Sequence, residues 1–429
     1  MRALCCTIAC AIACTSPATE PWSDAWILDE TEAYLDDPAF RRMAVLESLR
    51  NHDNIYSTQR VASYGLDVRG WDALPEWNPR TIAMNDATVD ALRAGALPAP
   101  DDALWDGVRP TTMDAWVTLG REVFFRYPLR SDPYVRWALA NPSVAEAFLV
   151  RADGTYPGAV LFRDVDGSLD VGITCALCHT ALRDGALVLG AARRAFDYGE
   201  LRARFHDETG APIDAELLRR MRTWGPGRAD ITEDEGEDPV AIPDLWGLRH
   251  QSALTHAGTI VHERPSALAI RQETQLLHAN GSRARPPREL SWALAMFLYS
   301  LEPPTTPTPS ENTRGRALFE RHCDTCHDNA AYGGDVVDAI LVGTDPALAN
   351  GAARGTGFYR PAALLDVRNA APYFHDASVP TLEDVLSRER LEPTYDRRPH
   401  GEGPALGHLY GLDLDPEAKR DLLAYLRSL

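Results

Sequence analysis

Lysine is nearly missing from this chain. Lys419 is the only one, and arginine supplies the rest of the 43 basic residues. That bias reflects the base composition of a gene more than a mechanism. Positive charge is short overall: 62 acidic residues leave a formal charge of −19. Nucleic acid, which binds through phosphate neutralisation, is therefore excluded as a partner. The acidic surface suits solubility, or a basic redox protein. Beyond the first fourteen residues no apolar run is long enough to cross a bilayer. Cysteine is confined to two places. Four of the eight stand at Cys5, Cys6, Cys10 and Cys14, and four stand in two copies of C-x-x-C-H, Cys175–Cys178–His179 and Cys323–Cys326–His327. No cysteine is left for a structural disulfide or a thiol nucleophile elsewhere. Methionine is absent after His327, so no thioether is available as a metal ligand downstream of the second motif.

What is present begins with an export signal. Arg2 precedes an apolar stretch, Ala3–Ala13, and "AIAC" resembles a bacterial lipobox with Cys14 as the lipidated residue. Cys10 is a competitor, and a signal cleaved without lipidation or left uncleaved is the alternative. The expected location is the periplasm, or the outer membrane through a lipid anchor, with no other membrane contact. The 429 residues suit two or three domains. The reading is a mainly α-helical protein with a helical N-terminal extension over 20–110, a first cytochrome c-like haem domain over 111–301, a Pro-rich linker over 302–310 and a second such domain over 311–429. "RELSWALAMFLYSL" and "DPEAKRDLLAYLRSL" read as the closing helices of the two halves, the second capped by Asp415 and Pro416.

The halves carry marks of duplication. "LGREVFFRYPL" (Leu119–Leu129) matches "RGRALFERH", but about 45 residues separate it from Cys175. "LWGLRHQSALTHAGT" lies without a gap on "LLDVRNAAPYFHDAS", placing Leu245 on Leu364, Arg249 on Arg368 and His256 on His375.

C-x-x-C-H is a haem attachment signature. Two thiols on one helical turn add to the porphyrin vinyl groups, and the adjacent His meets the iron. A redox dithiol or half a zinc site is the competing reading. Two copies, an export signal and no further cysteine favour two covalent c-type haems, held by Cys175, Cys178 and His179, and by Cys323, Cys326 and His327. The far side of each iron decides function. For the second haem His375 leads, while His400 and His408 lie in a Gly/Pro-rich loop and read as surface residues. For the first, His206, Met221, His250, His256, His262, His278 and Met296 are candidates. The repeat selects His256, as an iron ligand, as a catalytic acid/base, or as a polar residue lining the pocket. Met296 in its apolar helix reads as core, as do Trp224 and Trp246, for which a role as electron relay is the alternative. The acidic run Asp230–Asp238 offers oxygens to Ca²⁺ but lacks EF-hand spacing, so a solvated loop is the simpler reading.

These motifs together, with "GREVFF" and "NAAPYFHDASVPTLEDV", resemble the bacterial dihaem cytochrome c peroxidase and MauG superfamily over Thr111–Leu429. The resemblance implies a peroxide-reactive first haem and an electron-transferring second one. Phe374 stands where peroxidases carry Met and MauG-type enzymes Tyr, and "HAG" at His256 replaces Trp, an acidic residue and Gly. The insertion before Cys175 and the "LEPPTTPTP" linker look like the rubber-oxygenase-related branch, in which a His serves the second haem; this implies His375. The expectation is an exported dihaem oxidoreductase, peroxidase-like, fed by a redox protein or a small-molecule oxidant. A non-catalytic dihaem electron carrier and an oxygenase acting on an apolar substrate are the alternatives.

Overall fold

The computed structural model describes residues 20–68, 70–230, 238–304, 313–398 and 400–429. The export signal with Cys14, most of the acidic run and most of the Pro-rich linker lie outside the described residues.

Each half is built on one crossing of two helices, and in each a glycine permits it. The Met113–Arg126 helix starts at Thr112, whose side chain accepts from the Ala115 amide, and ends before Pro128. It crosses Arg288–Tyr299 at Gly120, where a Cβ would stand 1.9 Å from the Ala293 carbonyl oxygen. The Thr313–His322 helix crosses Pro416–Leu426 at Gly315, where a Cβ would stand 2.3 Å from the Asp421 carbonyl oxygen. Asp415 caps the last helix as expected, accepting from the amides of Glu417 and Ala418, with Pro416 in its first turn.

The mainly α expectation is corrected. Helix accounts for 42% and strand for 13%, so the class is mixed. A four-stranded antiparallel sheet, ordered β1-β3-β4-β2, joins β1 (Arg80–Asn85), β2 (Arg130–Ser131), β3 (Thr155–Arg163) and β4 (Leu169–Ile173). Three of these strands form in the insertion ahead of Cys175. β3 reads Ala159-Val160-Leu161-Phe162 and is buried on both faces, so it lacks the apolar/polar alternation that marks a half-exposed strand. Four two-stranded ribbons complete the β structure among the described residues: β5 (Thr180–Arg183) with β6 (Ala186–Leu189), β7 (Arg228–Ala229) with β8 (Val240–Ala241), β9 (Ala253–Leu254) with β10 (Ile260–Val261), and β11 (Val337–Asp338) with β12 (Phe358–Tyr359).

The N-terminal region is built into the first half. It supplies β1, and its Tyr34 hydroxyl and Trp71 indole N–H donate to the two oxygens of buried Glu273, at 2.8 and 2.6 Å. Arg288 stands 3.4 Å from the same carboxylate and 2.7 Å from Asp72. An unpaired buried carboxylate is costly, so the three partners of Glu273, with the Arg288–Asp72 pair, weld the segment onto the Pro265–Ala279 and Arg288–Tyr299 helices.

The gapless match holds in the backbone. Gly247, Thr255 and Gly258 take positive φ of 70, 72 and 58°, and their counterparts Asp366, Phe374 and Ala377 take 55, 71 and 59°. Leu254 pairs with Ile260 in β9–β10, and Tyr373 bridges Val379 at the equivalent place. The halves also exchange contacts reciprocally. The Ala241 amide donates to the His375 carbonyl, and the Arg360 amide to the His256 carbonyl, both at 2.8 Å. Ala241 and Arg360 occupy equivalent positions in the same register, so a pseudo-two-fold axis passes between the two histidine loops.

Candidate functional site

Both C-x-x-C-H segments form single turns. The His179 amide donates to the Cys175 carbonyl and the His327 amide to the Cys323 carbonyl, at 3.2 and 3.0 Å. One turn thus presents two thiols and an imidazole together. The first turn leaves β4 and rests on Gly158, whose missing Cβ would lie 2.2 Å from the Leu177 amide nitrogen. Gly158 has φ +94°, a conformation that favours glycine.

The two imidazoles are anchored alike. His179 Nδ1 lies 3.1 Å from the Pro243 carbonyl oxygen, and His327 Nδ1 lies 2.7 Å from that of Tyr332. A carbonyl only accepts, so each Nδ1 carries the proton and each Nε2 keeps its lone pair. This is the tautomer and anchoring of a metal-ligating histidine. Burial pushes the thiols up, Cys175 and Cys323 to about 12 and Cys178 to about 11. A redox dithiol needs the opposite shift. Among the described residues no cluster of three or more Cys, His, Asp or Glu is arranged to hold a metal ion, as a zinc site needs. All four cysteines are free and partly accessible.

Burial lowers the basicity of His179, His256, His327, His375 and His408, yet each keeps some accessible surface. Paired thiols and a pinned imidazole on one turn fit a covalently attached haem at both motifs.

His256 and His375 come together across the pseudo-axis. His256 Nε2 donates to the Ala241 carbonyl at 2.8 Å, and burial lowers its pKa to about 3. His375 Nε2 lies 3.2 Å from the Tyr359 hydroxyl, with ring centroids 4.4 Å apart. A further histidine, His408, is acted on electrostatically by His327. Burial first, then repulsion by His327, holds its pKa at about 4, and its Nδ1 is buried without a partner. The expectation of a surface residue is thereby corrected. Arg390, itself fully buried, folds this loop inward by donating to the carbonyls of Val385, Ala405, Gly407 and His408. Gly407 closes it, since a Cβ there would meet the Thr344 amide at 2.2 Å.

The remaining candidates are structural. His262 is held at both nitrogens, by the Gln251 carbonyl at 2.7 Å and the Tyr299 hydroxyl at 2.6 Å. His206 bonds the Ala211 carbonyl, and His400 bonds that of Asp376. His278 is exposed. His250 lines a cavity of about 290 Å³ with Tyr299 and Tyr332. Met221, Met296, Trp224 and Trp246 are core. Asp230 and Asp238, the described ends of the acidic run, act on Arg354.

No protein-family model matches the chain, and no curated protein matches it. Among solved structures, that of a MauG-like protein associated with microbial copper homeostasis is similar over 52% of this chain and 91% of that one, at 17% identity and a TM-score of 0.32. A likeness of that size assigns neither family nor activity, and the functional reading rests on the residues.

Proposed function

We propose that this chain is an exported dihaem c-type oxidoreductase, peroxidase-like, in which the first C-x-x-C-H unit is the site reactive toward peroxide or dioxygen and the second passes electrons. The observation that carries haem binding is the pair of C-x-x-C-H turns, each with its imidazole Nδ1 fixed on a backbone carbonyl. A c-type haem held there would supply a redox-active iron, for small-molecule reaction or for electron transfer. Cys175 and Cys178, and Cys323 and Cys326, provide the thioether sulfurs. His179 and His327 present Nε2.

The surroundings favour different roles for the two units. His327 acts on the imidazole of His408, whereas the groups acting most strongly on His179 are the Pro243 carbonyl, Asp244, Arg271 and Arg194. His256 stays neutral across the physiological range, and its Nε2 proton is engaged by Ala241. With its pKa depressed by burial and its Nε2 proton engaged, it is a weak base and a poor acid, which favours a residue lining the pocket over an acid/base role.

The test is expression with c-type haem maturation. Wild-type protein carries two covalent haems per chain by pyridine haemochrome and by haem stain on a denaturing gel. The double substitutions C175A/C178A and C323A/C326A each leave one. A wild-type protein without covalent haem sinks the proposal.

A further inference from the structure

The short Ala339–Val342 helix and the loop that carries Leu406 share a cavity of about 510 Å³. No residue of either C-x-x-C-H motif lines it. Its walls are fixed by the backbone. The His408 amide donates to the Val342 carbonyl and the Ala405 amide to that of Arg390, both at 2.7 Å. The Asp345 carboxylate accepts from the Ala347 amide at 2.9 Å, and its carbonyl accepts from the Tyr359 hydroxyl. The Asp376 carboxylate accepts from the Ser378 amide at 3.1 Å, and its carbonyl is held by His400 Nε2 at 2.7 Å.

Three charged side chains line this space: Asp345, Asp376 and Arg397. Opposite charges that share a cavity ordinarily pair, yet among the described residues none of the three forms a salt bridge. The Arg397 Nε is buried without a hydrogen-bond partner. Thr344 is 9% exposed and borders the same cavity, and its hydroxyl has no partner among the described residues. A buried polar group left without a partner is costly, so these groups suit a ligand that brings the missing partners. Asp376 already lies in the field of His375 and His400, which leaves Asp345 as the stronger site for a cation. The rim is apolar. Ile340 is 87% and Leu406 55% exposed, and large side chains held out at the edge of a cavity mark a surface that an apolar body can cover.

We infer that this cavity binds a small zwitterion with an apolar body, of the class of α-amino acids with apolar side chains. Its ammonium is taken by Asp345 and Asp376, its carboxylate by the Arg397 fork, and its body by Ile340 and Leu406. The volume is that of a small-molecule pocket. Nothing in this arrangement needs an attached haem, so the inference stands apart from the functional reading above.

Titration calorimetry on the full-length protein as exported tests it. L-phenylalanine is compared with phenethylamine and 3-phenylpropionate, each of which lacks one of its charges. Phenylalanine is expected to bind about tenfold or more tightly than either, the worth of one hydrogen-bonded charge. Asp345→Asn, which keeps an acceptor for the Ala347 amide, abolishes the advantage over 3-phenylpropionate. Arg397→Gln abolishes the advantage over phenethylamine. Circular dichroism checks the folding of both variants, and D345N keeps the inference testable if R397Q does not fold. Phenylalanine that binds no tighter than either one of its analogues, or that binds wild type and folded D345N equally, overturns the site.

Discussion

The two C-x-x-C-H turns arrive by different routes. The first leaves the central sheet at the end of β4 and runs on into the β5–β6 ribbon, beneath a region begun some 120 residues upstream. The second follows the Thr313–His322 helix directly and faces a loop folded in from the far C-terminal side by Arg390. What they share is narrow: the pentapeptide, the carbonyl under Nδ1, and a helix crossing relieved by one glycine. Under the proposed function these are the elements that would attach and orient a haem. The surroundings differ: Arg271 and Arg194 act on His179 at the first turn, and His327 acts on His408 at the second. The two halves match in the turn and diverge in what surrounds it.

The strongest way to break this comparison is at the second imidazole. His408→Ala is expected to convert the second haem from a low-spin to a high-spin ferric signal and leave the first unchanged. His375→Ala, which removes the residue facing Tyr359, leaves both signals in place. The reverse outcome returns the ligand role to His375, and the contrast between the two surroundings would then lie between the paired positions His256 and His375. Gly120 and Gly315 test the shared part. A Cβ at either site runs into backbone that cannot rotate away, so Gly120→Ala and Gly315→Ala are each expected to cost about 3 kcal/mol or more by urea unfolding, at the upper end for overpacking. Gly120, with the nearer obstacle, suffers more. Equal, small effects would show that the crossings relax independently of the glycines.

Much of the shared part was legible. The closing helices, the Asp415 cap and the gapless match between Leu245–Thr259 and Leu364–Ser378 recur as structure, the last down to three positive-φ positions. These signals are local: an amphipathic period, a cap, a residue register. The sheet was not legible, because β3 is apolar on both faces and β4 is short. The glycine and proline around His408 signal a surface loop, while three carbonyl contacts from Arg390, at Ala405, Gly407 and His408, fold it inward. Asp345 gave no signal at all. Within "VGTDPALAN" it is an ordinary aspartate, and only tertiary packing brings it to one cavity with Asp376 and Arg397.

One position of the repeat differs in its expected response to acid. In the repeat register His262 falls on Thr381, whose side chain caps a short helix and does not titrate. His262 is 1% exposed, is bonded at both nitrogens, and has its pKa lowered by burial to about 4. An unfolded histidine titrates near 6.5, so between about pH 6.5 and 4 the unfolded chain binds the extra proton. Stability contributed by neutral His262 is therefore complete above that window and is lost as pH falls through it, by about 2 kcal/mol between about pH 7 and pH 5. His262→Gln retains a donor and an acceptor but cannot take up the proton. It is expected to lower stability at neutral pH and to flatten the acid slope by that amount, measured as urea midpoints across the window. A slope unchanged by the substitution would place the acid sensitivity in other buried imidazoles, and His256, whose counterpart His375 also titrates, would then no longer separate the two halves.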